Sequence, residues 1–427
     1  MLNRTEAPIQ HSINDVDFIQ PESLTFENGL KVLVFRSDEQ ELIKAEFIFQ
    51  NMFSEPENPL LNTCLSSMLK EGTSTRSSAQ IADDIDFYGA FLVPEYSYDN
   101  TALTLYSLRK HFASVIPVVH DILQHSYFPE AELATYVRNN KQSLQVSMRK
   151  NDYIARKYFY NALFGDTRYG VTPSEEAYTL LNREDLLALY SKQIQPQHCT
   201  LVLSGGVTED IIAIIRKYFV QEWESTDELS TVTAPVLPAF EAQTIVEERA
   251  DSLQSAIRLG MPCINRTHPD FPALQFVNTL FGGYFGSRLM RNIREEKGYT
   301  YSIGSAIASL EHGGFFTIAS EVGVEVTTDT LKEIEHEFKV LSDELSAAEE
   351  VELVKNYMLG AMLGSLESIF SHADKYKSVY FYGMDLDYYK RYSEIIRSMN
   401  PTKVQEIAQK YLSYDKLTKI VVGKVQN

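Results

Sequence analysis

The most regular hydrophobic pattern in the chain occurs twice. Residues 182–205 and 400–423 align without gaps, and their first residues, Asn182 and Asn400, lie 218 positions apart. Asparagine is a favoured N-cap, and apolar residues follow it at helical spacing in both copies. A short apolar run then ends in glycine, which predicts a strand after each helix. Because 218 is close to half of the 427 residues, the duplication accounts for the whole chain.

The rest of the pattern follows the same order in both halves. Strand-like stretches come first and long helical stretches follow, which is typical of an α+β fold. We therefore expect two homologous domains, each a mainly antiparallel sheet with helices packed on one face. The strand-like stretches are 91–108, 301–307 and 314–322, and the helical ones are 111–125, 130–148, 327–345 and 347–366.

A polar run at 224–228, followed by two prolines, interrupts the pattern near the middle of the chain. Polar and proline-rich stretches between periodic segments are typical of linkers. We predict an N-terminal domain at 1–221, a linker at 222–243 and a C-terminal domain at 244–427.

The amino-acid composition excludes several classes of function. The 39 basic and 58 acidic residues give a net charge of −19, which argues against a nucleic-acid partner. No apolar run reaches the roughly 18–20 residues of a membrane span, and the first residues resemble no secretion signal. The three cysteines are far apart and fit neither a disulfide framework nor a CxxC motif. We expect a cytoplasmic protein that neither crosses nor binds a membrane.

Several familiar catalytic motifs are absent from the sequence. It contains no GxxxxGK[ST] loop, no strand-associated GxGxxG and no GxSxG elbow. None of the nine histidines belongs to HExxH or HxxEH, the motifs that place two imidazoles one helical turn apart for zinc. A self-contained hydrolase site is therefore not expected.

One segment is far more informative. Residues 268–304 read HPDFPALQFVNTLFGGYFGSRLMRNIREEKGYTYSIG. Apolar spacing predicts a helix that the glycines at 282–286 interrupt, a second helix at 287–296 and a strand from 299. The order of HPD, Gly-Gly, Ser-Arg-Leu, Ile-Arg-Glu, Lys-Gly and Tyr-Ser resembles the C-terminal-domain signature of the pitrilysin/insulinase-type zinc peptidases, the inverzincins. Family members carry two homologous α+β domains, in agreement with the repeat.

The resemblance also indicates that the zinc ligands and the catalytic glutamate of the family are replaced in this chain. The family's HxxEH helix matches 63–73, where Met68, Gly72 and Thr73 set the register. The first zinc histidine then corresponds to Thr63, the catalytic glutamate to Ser66 and the second histidine to Ser67. The third ligand, a glutamate, corresponds to Gln145 in a looser alignment. Hydroxyls and an amide do not replace imidazoles and a carboxylate on zinc, so we expect no metal in this chain.

A second pair matches a different family role. In two-subunit bacterial relatives, a subunit without HxxEH supplies an arginine and a tyrosine seven positions apart; Arg294 and Tyr301 have this spacing. The resemblance implies that they bind substrate carbonyls and stabilise the oxyanion in trans. Tyr299 is an alternative to Tyr301, and Arg294 can also be explained as a cation near a helix C-terminus.

We therefore expect a non-catalytic subunit of a heterodimeric zinc endopeptidase that is inactive alone. Its partner would be a homologue with HxxEH that holds the zinc, its substrate would be a peptide, and a homodimer is possible in isolation. The strand at 101–107 lies where relatives pair a substrate strand with a sheet edge; the alternative, in a subunit without zinc, is that this strand only lines the chamber. The alternatives are a structural scaffold and a stand-alone peptide-binding pseudo-peptidase.

Overall fold

Two β-sheets organise the computed structural model, which describes residues 16–52, 58–223 and 234–424. The first sheet has the strand order β1-β2-β6-β3-β5-β4, and the second has the order β7-β11-β8-β10-β9. The strands are β1 Glu22–Thr25, β2 Lys31–Arg36, β3 Leu42–Gln50, β4 Phe91–Tyr96, β5 Asn100–Leu108, β6 Cys199–Gly205, β7 Thr244–Glu248, β8 Gln254–Cys263, β9 Thr300–Leu310, β10 Gly313–Gly323 and β11 Thr418–Gly423.

Strand pairing is antiparallel except at one place in each sheet. In the first sheet β2 runs parallel to β6, and in the second β7 runs parallel to β11. The strands β6 and β11 are the two apolar runs of the sequence repeat, and both lie inside their sheets. The predicted α+β class with mainly antiparallel sheets is confirmed.

The helices follow the strands as the hydrophobic pattern predicts. Asn182 and Asn400 both act as N-caps, since their side chains accept hydrogen bonds from the backbone N–H three residues later. The helices are α1 Leu61–Met68, α2 Ser78–Asp86, α3 Phe112–His125, α4 Glu130–Ser147, α5 Asn151–Phe164, α6 Glu175–Leu180, α7 Arg183–Gln193, α8 Glu209–Arg216, α9 Phe271–Asn278, α10 Thr327–Asp343, α11 Ala348–Gly364, α12 Ile369–Tyr380, α13 Asp387–Ser398 and α14 Pro401–Tyr411.

Short helical segments of other types join these elements. In the part of the chain that the structure describes, three are π-helical, and two of the three lie in the segment 268–304, where the sequence predicted ordinary helix. The π-helical segments are Lys217–Gln221, Thr279–Gly283 and Met290–Glu296, and the 3₁₀ turns are Arg109–His111, Pro196–His198, Val324–Val326 and Tyr414–Lys416.

Each sheet buries one face under helices of its own half, as expected. The opposite face departs from the prediction, because it carries one helix from the other half. Helix α12 packs Ile369 and Ala373 on Leu33 and Phe35 of the first sheet, and α5 packs on β8 and β11 of the second. Helices therefore lie on both faces of each sheet.

The two helices that pack on the sheet of the other half, α5 and α12, occupy equivalent positions in the repeat. The first residues of α5 and α12, Asn151 and Ile369, are 218 positions apart, which is the offset of the repeat. At Gly260 the backbone of β8 approaches α5 so closely that a Cβ atom would lie 2.7 Å from Cζ of Phe159. The two halves therefore stabilise each other through buried apolar surface.

The predicted linker is only partly described. Its polar run at 224–228 lies outside the described residues. Trp223 is buried in the first core, and Leu237 and Phe240 pack beside α5. No helix in the described ranges is both long and apolar enough to cross a membrane.

Candidate functional site

The three positions that match the lost zinc motif lie on α1, and two of their hydroxyls are already hydrogen-bonded. Ser66, which is buried, donates through Oγ to the backbone oxygen of Glu95 in β4 at 3.0 Å. Ser67 donates through Oγ to the backbone oxygen of Thr63 at 3.0 Å, one helical turn earlier. Helical spacing does place Thr63 and Ser67 on one face, as the HxxEH alignment requires. Their side chains, however, serve the local fold.

Two tyrosines lie against this face of α1. The hydroxyl of Tyr96 lies beside Thr63, and that of Tyr136, on α4, lies beside Ser67. Burial raises the pKa of both phenols above the ordinary value, so both are neutral at physiological pH. The donor set is thus hydroxyls and phenols, which does not fit zinc. Within the described ranges, no three His, Cys, Asp or Glu side chains form a group that could hold a metal ion.

The structure places Gln145 away from this cluster. Its exposed amide donates to Oε1 of Glu175, on α6, at 2.9 Å. Tyr136, which does contact Ser67, is nine residues earlier on the same helix, and nine steps of 100° place the two on opposite sides. The sequence alignment missed Tyr136, because a tyrosine at this spacing carries no recognisable motif.

The residues that set the alignment have structural roles. Gly72 has φ +145°, and a Cβ there would lie 2.9 Å from Cγ of Pro129. Thr73 donates through Oγ1 to the buried carboxylate of Asp121 at 2.7 Å. Burial acts to raise the pKa of Asp121, but hydrogen bonds from Thr73, Thr75 and Arg76 outweigh burial and hold the pKa below its ordinary range. The Gly-Thr pair therefore persists as part of the fold.

The structure brings Arg294 and Tyr301 together. The guanidinium carbon of Arg294 lies 5.7 Å from the centre of the Tyr301 ring and 4.7 Å from that of Phe285. Tyr301 is 89% exposed and Phe285 is 64% exposed. Among the described residues no carboxylate pairs with Arg294 and no side chain hydrogen-bonds to it. Phe285 was missed by the sequence, although an aromatic residue inside a glycine turn was an available signal.

A β-bulge places the Tyr301 side chain in solvent. The pairing of β9 with β10 shifts between Ser320, opposite Ile303, and Val322, opposite Thr300. Thr300 fixes this bulge, because its Oγ1 donates to the backbone oxygen of Glu321 at 2.7 Å and lies 3.0 Å from that of Ser302. Bulges commonly redirect side chains in this way.

The alternative tyrosine has a different environment. Tyr299 is half-buried and packs against the second hydrophobic core. Its backbone N–H donates to the oxygen of Ile293 across Gly298, whose φ of +68° ends the π-helical segment. Of the two tyrosines, Tyr301 is the one beside the Arg294 guanidinium.

The strand at 101–107 belongs to β5, which lies inside the first sheet, so it offers no free edge to a substrate strand; β4 forms the edge. The backbone N–H of Ser97 donates to the backbone oxygen of Asn100. Hydrogen-bonded and non-hydrogen-bonded residue pairs alternate along an antiparallel ladder, so the backbone groups of Leu92, Pro94 and Tyr96 point away from β5. Pro94 has no N–H to offer, which weakens this edge for strand addition.

Comparison with known proteins identifies relatives of this sequence. Residues 180–358 match the family model described as the peptidase M16 inactive domain. The uncharacterized zinc protease YmxG of Bacillus subtilis (strain 168) is 24% identical over 389 residues, which cover 90% of this chain and 93% of that protein.

Solved structures share the fold over nearly the whole chain. The peptidase M16 inactive domain from Pseudomonas fluorescens superposes with a TM-score of 0.86 at 21% identity, covering 96% of this chain and all of that one. A protease from Helicobacter pylori gives 0.85 at 15% identity, covering 95% of this chain and 100% of that one. Residues 180–358 thus match the M16 inactive domain, the whole chain has a fold that M16-like proteins share, and the resemblance to this peptidase family that the sequence predicted is confirmed.

Proposed function

We propose that this chain is the non-catalytic subunit of a heterodimeric zinc endopeptidase. A homologous partner that carries HxxEH would hold the zinc and the general base, and this chain would contribute Arg294 and Tyr301 to the shared peptide site. One observation carries the proposal: Arg294 is a solvent-accessible guanidinium that two aromatic rings hold in place and that no carboxylate in the described ranges neutralises.

Such an arginine is suited to bind a substrate. A guanidinium presents five N–H donors in a rigid plane, and stacking on aromatic rings preserves these donors for a ligand. Hydrolysis of a peptide bond develops negative charge on the carbonyl oxygen. Donors that are already oriented stabilise that charge without reorganising, and the Tyr301 hydroxyl lies on the same exposed surface.

The first sheet supplies a surface for a bound peptide. Helix α12 packs on β2 and β6 of this sheet, whereas Phe91 and Val93 at the β4 edge remain exposed. A cleft on the same sheet is lined by Tyr96 of β4 and by Phe381. An extended peptide could lay alternate side chains on this surface, in keeping with the period of a strand.

The three unpaired cysteines are consistent with the reducing environment of the cytoplasm. Cys64 and Cys199 are buried, Cys263 is half-buried, and all three are free thiols. Free thiols are usual in reducing compartments. We place the heterodimer there, and fractionation of cells that express the tagged chain tests the placement.

The decisive experiment mixes this chain with its HxxEH homologue and measures the cleavage of fluorogenic peptides. We expect each chain to be inactive alone and the mixture to be active. Arg294→Ala should lower kcat about 10²–10³-fold without weakening the complex. Arg291→Ala is the matched control, because Arg291 lies on the same segment, is 52% exposed and makes long contacts, a 3.8 Å ion pair with Glu350 and a 3.5 Å hydrogen bond to the backbone oxygen of Gly286.

The structural-scaffold alternative gives a different result. A scaffold would still assemble with its partner, but Arg294→Ala would leave peptide cleavage at the level of the Arg291→Ala control. A stand-alone peptide-binding protein would bind the same peptides without any partner, which calorimetry on the isolated chain measures.

A further inference from the structure

A second pocket lies in the C-terminal half, between the segment before α9 and the helices α9, α11, α12 and α13. Its volume is about 700 Å³. Two cations line it, Arg266 and Lys375, and neither forms an ion pair with a carboxylate of the described residues. The phenols of Tyr388 and Tyr392 also line it, and the described part of the chain provides neither hydroxyl with a hydrogen-bond partner.

Arg266 is held rigidly and is incompletely satisfied. It donates from Nη1 to the backbone oxygen of Ser378, and its guanidinium lies over the rings of Tyr382 and Tyr388 at 5.5 and 5.8 Å. Its buried Nε–H finds no hydrogen-bond partner among the described residues. An unpaired buried donor costs free energy, so the described residues leave Arg266 incompletely satisfied.

Lys375 adds a second positive charge to the same pocket. Burial lowers the pKa of Lys375, and repulsion from Arg266 lowers it further. The carboxylate of Asp374 also borders the pocket, but it is shared by Lys44 at 3.0 Å and Lys377 at 2.9 Å. Two like charges thus face each other without a compensating anion, which is costly in a partly desolvated site.

We propose that this pocket binds a small oxyanion, a carboxylate or a phosphate group. The donors that converge here, a guanidinium, an ammonium and two phenols, match an acceptor-only ligand. A volume of about 700 Å³ exceeds the size of a bare phosphate, so the anionic group would be part of a larger organic molecule or a peptide terminus. The proposal does not depend on the function proposed for Arg294.

Calorimetry and thermal unfolding of the full chain test the site, with inorganic phosphate, citrate and a hexapeptide with a free or amidated C terminus as probes. Binding of phosphate or citrate indicates a small-molecule site. Binding of the free-acid peptide but not of its amide indicates a peptide carboxylate. Absence of binding by all four probes at millimolar concentration would overturn the proposal.

Lys375→Met separates binding from folding. Removing Lys375 relieves the repulsion with Arg266, so the variant should unfold at the same or a higher temperature while it binds the anion at least about tenfold more weakly. Tyr392→Phe should also weaken binding. The matched control is Lys390→Met on α13, which makes the same change in net charge outside the pocket. If Lys375→Met and Lys390→Met bind the anion equally well, the site is not at Arg266 and Lys375.

Discussion

The guanidinium of Arg294 lies over the ring of Tyr301, with 5.7 Å between the guanidinium carbon and the ring centre. Two irregularities of the backbone create this contact. Arg294 belongs to the π-helical segment Met290–Glu296, and Tyr301 lies at the bulge where β9 begins. Irregular backbone of this kind is frequent at functional sites, because it gives a side chain a direction that regular structure does not.

Tyr301→Phe removes only the phenol hydroxyl from this pair. We expect kcat of the mixed heterodimer to fall about 10²-fold or more, because a preorganised donor to the developing oxyanion is lost. The melting temperature should stay unchanged, since the side chain is 89% exposed. Tyr299→Phe serves as the control and should retain activity. The reverse result would assign the role to Tyr299.

Thr300→Val tests whether the bulge positions Tyr301. The change keeps the shape of the side chain but removes its hydrogen bond to Glu321 O, so we expect a loss of about 1–2 kcal/mol in the free energy of unfolding and a lower kcat. Urea unfolding and peptide cleavage measure the two effects.

Thr317→Val is the matched control for Thr300→Val. Thr317 lies in the adjacent strand β10, and within the described ranges its buried Oγ1 has no hydrogen-bond partner. Its replacement should be neutral or stabilising, because no hydrogen bond is lost. Equal effects of the two valine substitutions would show that the Thr300 hydroxyl does not hold the bulge.

Rebuilding a metal site distinguishes Tyr136 from Gln145. A background with Thr63→His and Ser67→His places two imidazoles one turn apart on α1. Adding Tyr136→Glu should then give zinc affinity at least tenfold higher than adding Gln145→Glu, because only Tyr136 faces Ser67. Calorimetric titration with zinc measures both. Tighter zinc binding by the Gln145→Glu variant would instead support the alignment of Gln145 with the third zinc ligand of the family.

Local signals made much of the fold predictable. The repeat, the two asparagine caps and the order of strands followed by helices depend on neighbouring residues, and the structure confirms each. That α5 and α12 each pack on the sheet of the other half was not predictable, because the apolar face of a helix does not specify which sheet it will cover. A period of 3.6 also conceals the π-helical turn that contains Arg294.

The candidate site was predictable only where a motif exists. The seven-residue spacing identified Arg294 and Tyr301, whereas Phe285 and Tyr136 approach the two sites through tertiary contacts that no spacing encodes. The alignment with Gln145 was loose, and because a helix rotates each residue by 100°, a small error in register moves a side chain to another face.

A charge network joins the two halves and can be tested by removing one member. Glu46 is 2% exposed in the first sheet and accepts a hydrogen bond from Lys377 on α12; Lys44 lies 3.1 Å away. Lys377→Met should destabilise the protein by about 1–3 kcal/mol, because the buried carboxylate loses a partner. Adding Glu46→Gln should recover part of this loss. Lys332→Met, which breaks only an exposed pair, should change stability by less than about 0.5 kcal/mol.

The Asp121 carboxylate should make the free energy of unfolding depend on pH in the acid range. The hydrogen bonds from Thr73, Thr75 and Arg76 overcome burial and hold its folded pKa below that of the unfolded chain. A depressed pKa contributes stability that is complete above the unfolded value, near 4, and is lost as pH falls through the folded pKa. Asp121→Asn should therefore cost about 1–3 kcal/mol at pH 7, and its difference from the parent should shrink below about pH 4. Asp84→Asn is the control, since Asp84 binds the same arginine but is 50% exposed. Urea unfolding between pH 3 and pH 7 measures both variants, and a cost that stays constant across that range would contradict the assignment to the Asp121 carboxylate.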